Sequence, residues 1–429
     1  MQDRPGLTPI PVNARGLAFA ALKHGDFRAY VSGATFSMMA DNIEHVITYW
    51  VLWEKFQSPL LAGFAVVSHW VPFLLFSVYF GALADRHDSR RVIQVSQALF
   101  MLVSISWGVL FLTNQLQIWE AVVLLILHGL AGAMWTPAEQ LALHDIVGPQ
   151  HLPSAVRLNA TGRNIGILFG PAVGGALLFL AGPTLGIMIN ALIYLPLSII
   201  VHRIHLEHRL SNEVRGTSLR SAWHALARGT GNRVILLMTV VAGVTAAFIG
   251  NFQPQMPDFA ARLSNGDPGF TYSALLMAMG AGSVLGGVLL EVTHFVRIDE
   301  RTAVIFAVIW ALSTSAFAFT QSFTLALGLL FVAGVSRLAF GAIAQTLVQL
   351  QSPRDLRGPL IGAFLMTQLG MQAVCGLTLG VFGTAFGLNA ALTLAGLAAG
   401  GLSLVAFLVL RPSPMTPSGR PVPSELVAQ

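Results

Sequence analysis

Twelve runs of mostly apolar residues, nearly all about twenty long or longer, follow one another along the chain, at 30–53, 59–82, 92–114, 117–137, 157–180, 184–202, 233–256, 270–292, 302–320, 323–348, 358–383 and 388–410. About 20 apolar residues in a helix span the ~30 Å hydrocarbon core of a bilayer and bond every backbone amide internally. The runs are continuous. They lack the alternation of polar and apolar side chains, about ten residues at a time, that marks a membrane strand. The chain therefore reads as all-α, a polytopic membrane protein of twelve transmembrane helices. Its composition agrees: 55% of residues are hydrophobic and only 10% charged, where a soluble domain carries roughly 25% charged residues.

The polar connections give an orientation. The basic residues gather in the N-terminal tail (Arg4, Arg15, Lys23, Arg28), in the loops that follow even-numbered spans, and in the C-terminal tail at Arg411 and Arg420. The other side holds only Lys55 and Arg262. By the positive-inside rule both termini face the cytoplasm, in a multi-pass cell-membrane protein. Residues 1–29 contain no compact apolar core of a cleavable signal, so the first span serves as the membrane signal. The net charge of +5 falls between apolar blocks and forms no basic and aromatic face, which argues against a nucleic-acid partner.

The longest polar stretch, 203–232, divides the chain into an N-terminal tail (1–29), a six-helix bundle (30–202), a cytoplasmic central loop with a helix-compatible piece at 219–227, a second bundle (233–410) and a C-terminal tail (411–429). An internal repeat supports the division. GALAD at 81–85 answers GVLLE at 287–291, and AEQLAL (138–143) followed by HLPSAVRL (151–158) answers AQTLVQL (344–350) followed by DLRGPLIG (355–362). Both echoes are offset by about 205 residues, the pattern of parallel six-helix repeats with a site between them at mid-membrane.

Between the second and third spans stands GALADRHDSRR, residues 81–91. Gly81 permits close helix approach, Asp85 is an acid at the membrane edge, and Arg86, Arg90 and Arg91 form a basic turn able to exchange ion pairs as two halves rock. A plain stop-transfer cluster is the alternative. In the fifth span GILFGPAVGG, residues 166–175, sets Gly166, Gly170, Gly174 and Gly175 on a close-packing face around Pro171. With these motifs the chain resembles the major facilitator superfamily, whose loop signature reads G-x-L-A-D-R-x-G-R-R. Asp88 stands where that signature has glycine, and Ser89 where a basic residue is usual. The fifth-span run matches the G-x-x-x-G-P-x-x-G-G signature of the superfamily's antiporting exporters; a packing seam common to any transporter is the other reading. The stretches 137–160 and 345–364 resemble the enterobactin-exporter-like group of secretion effectors. The resemblance implies the major facilitator fold, with two pseudo-symmetric six-helix bundles, and efflux of a drug or siderophore. One exporter feature is missing: span four, 117–137, holds no arginine.

Charges inside the spans supply candidate chemistry. Asp41 and Glu44 lie mid-span and three residues apart, so they share a helix face, with His45 one turn from Asp41. Desolvation and mutual repulsion favour proton uptake by such a pair. Asp41 and Glu44 are therefore candidate proton carriers, and a hydrogen-bonded packing role is the alternative. Arg337 is expected either to answer these acids across a cavity or to meet an anionic substrate. Arg163 is expected to pair with Asp145 or Glu139. His45, His69, Trp70, Gln253, Gln368 and Gln372 complete the substrate-cavity candidates, while His128 is expected to be packing.

Several classes are excluded. The only lysines, Lys23 and Lys55, are not preceded by the glycine of a phosphate loop, so a gradient replaces ATP hydrolysis by that route. The common zinc motifs H-E-x-x-H and paired C-x-x-C are also absent from the sequence, and no metal or other cofactor is expected. The single Cys375 forms no disulfide within the chain. The expected protein is a monomeric secondary transporter, not an enzyme, that exports a small amphiphilic molecule against protons. An importer or uniporter on the same scaffold, or a membrane regulator that does not transport, are the rivals.

Overall fold

The computed structural model describes residues 19–204, 232–292, 297–353 and 357–410. The described residues form twelve membrane-crossing helices. The first three are α1 (Gly25–Phe56), α2 (Pro59–Arg86) and α3 (Ser89–Thr113). A continuous helical stretch, Ile118–Ile193, is broken at Gly148 and Gly182, whose φ angles of +72° and +73° with extended ψ are open to glycine alone. These breaks give α4 (118–147), α5 (149–181) and α6 (183–203). The remaining helices are α7 (Arg233–Leu263, irregular at 250–255), α8 (Pro268–Val292), α9 (Glu300–Phe319), α10 (Phe323–Gln351), α11 (Arg357–Phe386) and α12 (Leu388–Leu410).

Side chains set several of the boundaries. Ser58 caps α2 by accepting from Leu61 N at 3.2 Å ahead of Pro59, and Asp299 caps α9 by accepting from Thr302 N at 2.8 Å. Asn232 does the same for α7 through Val234 N at 3.0 Å. Nine stretches among the described residues are long and apolar enough to cross a membrane on their own account, one of them covering both α5 and α6. α1 and α2 are not among them: in α1 Asp41, Asn42, Glu44 and His45 lower the hydropathy, and of α2 the stretch Pro59–Phe73 is apolar but shorter; α1 is held by packing.

The expected spans and the helices coincide in number and order. They differ at the ends of α4 and α5, which continue through 138–156 as helix where the polarity of the sequence points to a connection, at α1, which starts five residues early, and at α7, which runs seven residues past the expected end at 256. The tails, and the piece at 219–227, lie outside the described residues.

The helices gather into two bundles, α1–α6 and α7–α12. Inside the first, α5 lies against α1 along Gly162, Gly166, Gly170 and Gly174. A Cβ on Gly166 would sit 2.7 Å from the Thr35 carbonyl oxygen and one on Gly170 would strike the Asn42 Cβ, so the seam requires glycine. Between the bundles, Gly63 of α2 meets Gly376 and Gly380 of α11, and Gly175 of α5 meets Ser273 of α8. The Tyr272 hydroxyl donates to the Val46 carbonyl at 3.1 Å, Ser273 donates to the Gly175 carbonyl at 3.0 Å, and Trp50 stacks on Tyr272 at 5.6 Å between ring centroids. All these contacts lie at the end of the molecule away from the chain termini, so the bundles are sealed together there.

Candidate functional site

α1, α2, α3, α4 and α6 converge on a polar knot inside the first bundle. Asp41 and Glu44 sit on one face of α1, as their spacing predicted. His128 of α4 stands between them, its Nδ1 2.9 Å from Glu44 Oε1 and its Nε2 2.9 Å from Asp41 Oδ1. All three are buried, with His128 3%, Asp41 8% and Glu44 2% exposed. Ser104 of α3 donates to the other Glu44 oxygen, and Asn190 of α6 reaches Ser104 Oγ at 3.4 Å. His45 Nδ1 lies 3.9 Å from Asp41 Oδ2. Its ring is stacked on Tyr49 at 5.4 Å and meets His69 edge-on at 4.8 Å. Trp70 covers His69 edge-on, also at 4.8 Å.

This geometry fixes a proton count. A neutral imidazole donates from one nitrogen and accepts at the other, while a carboxylate only accepts. For His128 to hydrogen-bond to both acids, the three groups must carry one proton more than two carboxylates and a neutral ring. Either His128 is an imidazolium donating twice, or one acid is protonated and donates to the ring. Both forms use the same heavy-atom positions, so the proton can shift among the three groups without rebuilding the site, and its release costs one of the two hydrogen bonds.

Asp41, His45, His69 and His128 also bring ligand-type atoms within 4.8 Å of one another, and imidazole with carboxylate is a donor set that a divalent metal accepts. Both His128 nitrogens are already directed at carboxylate oxygens, however, and a metal would have to displace the bond to Asp41. The arrangement favours a shared proton.

Arg163 pairs with Glu139 at 2.9 Å and lies over the Trp135 ring, 5.2 Å from its centroid; of the two partners expected for it, Glu139 is the one it meets. Arg337 does not answer Asp41 or Glu44, because His128 holds both acids within the first bundle, and Arg337 lies on α10 of the second. Gln253, Gln368 and Gln372 are likewise on α7 and α11, away from the knot. His128, expected to be packing, is its centre. The signal was present: span four contains no lysine or arginine, and a histidine mid-span is its only basic group.

At the loop, Asp88 accepts from Arg90 N at 3.0 Å and its φ of −56° is ordinary for any residue, so aspartate caps α3 where the superfamily has glycine. Arg90 pairs with Asp88 at 2.6 Å and donates to the Ile204 carbonyl at 2.8 Å, tying the loop to the end of α6. Gly81 has open space around it, and Arg86 and Arg91 are exposed.

Solved structures share this architecture. The chain is similar to a bacterial homologue of the human lysosomal transporter Spinster in an inward-facing and unoccupied conformation (TM-score 0.64, 15% identity, 90% of this chain and 99% of that one). It is also similar to the nucleoside transporter NupG (TM-score 0.64, 14% identity, 90% and 98%). The fold is that of the major facilitator transporters, and the family to which the chain belongs is one of membrane carriers, not enzymes. More narrowly, residues 17–421 match the major facilitator model of transmembrane secretion effectors, and the chain belongs to that family.

Relatives within the superfamily include the staphyloferrin A transporter of Staphylococcus aureus (25% identity, 35% of this chain, 38% of the relative). Others are the putative multidrug resistance protein MdtD of Cronobacter sakazakii (31% identity, 28% and 25%) and macrolide efflux protein A of Streptococcus pyogenes (20% identity, 34% and 36%). The matched stretches span between a quarter and two fifths of these relatives.

Proposed function

We propose that this transporter is a proton-coupled exporter of a small amphiphilic molecule, of the drug or siderophore kind, working by alternating access as a monomer. The observation that carries the reading is His128 held between Asp41 and Glu44: a buried three-group site with one exchangeable proton is what coupling to a proton gradient requires. The names of the multidrug resistance and macrolide efflux relatives support export, that of the staphyloferrin A transporter supports a siderophore cargo, and the glycine seam that matches the exporters' fifth-span signature supports export as well.

In this reading the end that carries the termini faces the cytoplasm of a bacterial plasma membrane, supported by the basic residues gathered around them. The seal formed by Tyr272, Ser273 and Trp50 then closes the outer side, and the cargo space between the bundles opens inward. Cargo enters from the cytoplasm, the bundles rock about the α2–α11 and α5–α8 seams, and proton entry through Asp41, Glu44 and His128 resets the carrier. A proton moving down 100 mV supplies about 2.3 kcal/mol. At about 1.4 kcal/mol per tenfold ratio this sustains roughly a fiftyfold gradient.

The test is efflux of a fluorescent dye from cells carrying the protein, with and without a protonophore. Proton coupling requires that collapse of the gradient abolish efflux; undiminished efflux rejects it. Flux direction in inverted vesicles separates export from import.

A further inference from the structure

Arg337 is the fifteenth residue of the 29-residue helix α10, so it lies at the middle of a span. The lipid side of α10 is marked by Leu325, Val332 and Leu350, which are 54%, 41% and 67% exposed. At about 100° per residue, Arg337 lies roughly 140° around the helix from Val332, and Gly341 lies opposite it. The protein-facing stripe to which Arg337 belongs includes Leu330 and Gly334, both buried. Arg337 itself is nevertheless exposed, so its side chain reaches an open space on the protein side of α10 and not the lipid.

Among the described residues no hydrogen bond or ion pair compensates its charge. The acids of the first bundle are taken up by His128. The nearest group to a Cβ on Gly341, one turn along, is the Gln368 amide nitrogen of α11 at 3.9 Å, so the space beside Arg337 is lined by a further donor. A cation held unpaired at mid-membrane marks a ligand pathway. The planar guanidinium matches the paired oxygens of a carboxylate or phosphate.

We propose that Arg337 is the anion-recognising subsite of the transport cavity, binding an oxyanion group of the cargo. This rests on the export reading only in taking the cavity to carry cargo, and it narrows the substrate class to anionic amphiphiles. Export of a monoanion against one entering proton moves two charges' worth of current inward, so transport is electrogenic.

The chain's one cysteine, Cys375, is buried, which allows a test that needs no knowledge of the cargo. Gly341→Cys has room for its side chain. It is treated, in phosphatidylcholine nanodiscs, with an anionic thiosulfonate reagent (MTSES) and its cationic counterpart (MTSET). Arg337 raises the anionic rate relative to the cationic one, and Arg337→Gln lowers that ratio about tenfold while Arg337→Lys keeps most of it. Slowing of the anionic reagent by inorganic phosphate identifies a soluble oxyanion as the occupant, and slowing by phosphatidylglycerol in the disc identifies a lipid headgroup; either supports the site. A ratio unchanged by Arg337→Gln, or no labelling of Gly341→Cys by either reagent, overturns the proposal. Protonophore-sensitive efflux by the same variants separates the two readings: a flat ratio with efflux intact removes the anion subsite and leaves proton-coupled export standing.

Discussion

His128 Nδ1 lies 2.9 Å from Glu44 Oε1, across 84 positions of sequence, and the same imidazole touches Asp41 through its other nitrogen. Removing the ring leaves two buried carboxylates three residues apart with no cation between them. Breaking such a buried pair costs about 3–5 kcal/mol. His128→Leu is therefore expected to lower the melting temperature measurably in detergent, and to reduce proton-driven efflux at least about tenfold. A variant that melts and transports like the natural protein would remove His128 from the mechanism.

Glu44→Gln separates the charge from the shape. The amide keeps a hydrogen bond to His128 and to Ser104, so stability is expected to change by no more than about 1 kcal/mol. The extra proton has lost one of its two acceptors, and uptake of cargo into everted vesicles should no longer follow an imposed pH difference. Asp41→Asn is expected to act in the same direction. Retained pH-driven transport in both single variants would mean that the proton is carried elsewhere.

Leucine at Gly170 tests the seam between α5 and α1. A Cβ at that position already strikes Asn42, and Asn42 is itself anchored by its bond to the Met38 carbonyl at 2.9 Å. Overpacking of this kind costs about 1–3 kcal/mol. Because α1 carries both acids, its displacement is expected to lower transport together with stability. Leucine at Gly328 of α10, where no atom lies within 4 Å of a Cβ, is the control and should leave thermal unfolding and efflux unchanged.

The twelve helices were legible because a bilayer permits few other solutions to long apolar runs. The glycine seam was legible because small residues at helical spacing have a single packing use. The acids on α1 stood out because they are the mid-span charges of an otherwise apolar helix. His128 did not, since a lone histidine in an apolar run is commonly packing, and only the approach of α4 to α1 brings it between two carboxylates. Which of its two expected partners Arg337 meets, the α1 acids or an anionic substrate, was not legible for a related reason: helix faces follow from spacing, but which faces of two bundles meet does not. The loss of glycine at Asp88 left the loop geometry open, and it resolves as a cap that backbone angles common to all residues can provide.

Tyr272 offers the most direct handle on the conformational cycle. It is fully buried, its hydroxyl donates to the Val46 carbonyl of the opposite bundle at 3.1 Å, and Trp50 stacks on its ring. Tyr272→Phe keeps the ring contact and removes only the hydrogen bond, which is worth about 1 kcal/mol. The bond joins the bundles at the sealed end and is broken when that end opens, so its loss destabilises the present state relative to the opposite one. The equilibrium should shift about fivefold toward opening at this end. Spin labels on the two bundles, placed near Gln57 and Ser264, would report this as a larger population of long distances with no change in melting cooperativity. An unchanged distance distribution would show that the hydroxyl bond persists through the cycle, and that the hinge lies at this end of the molecule.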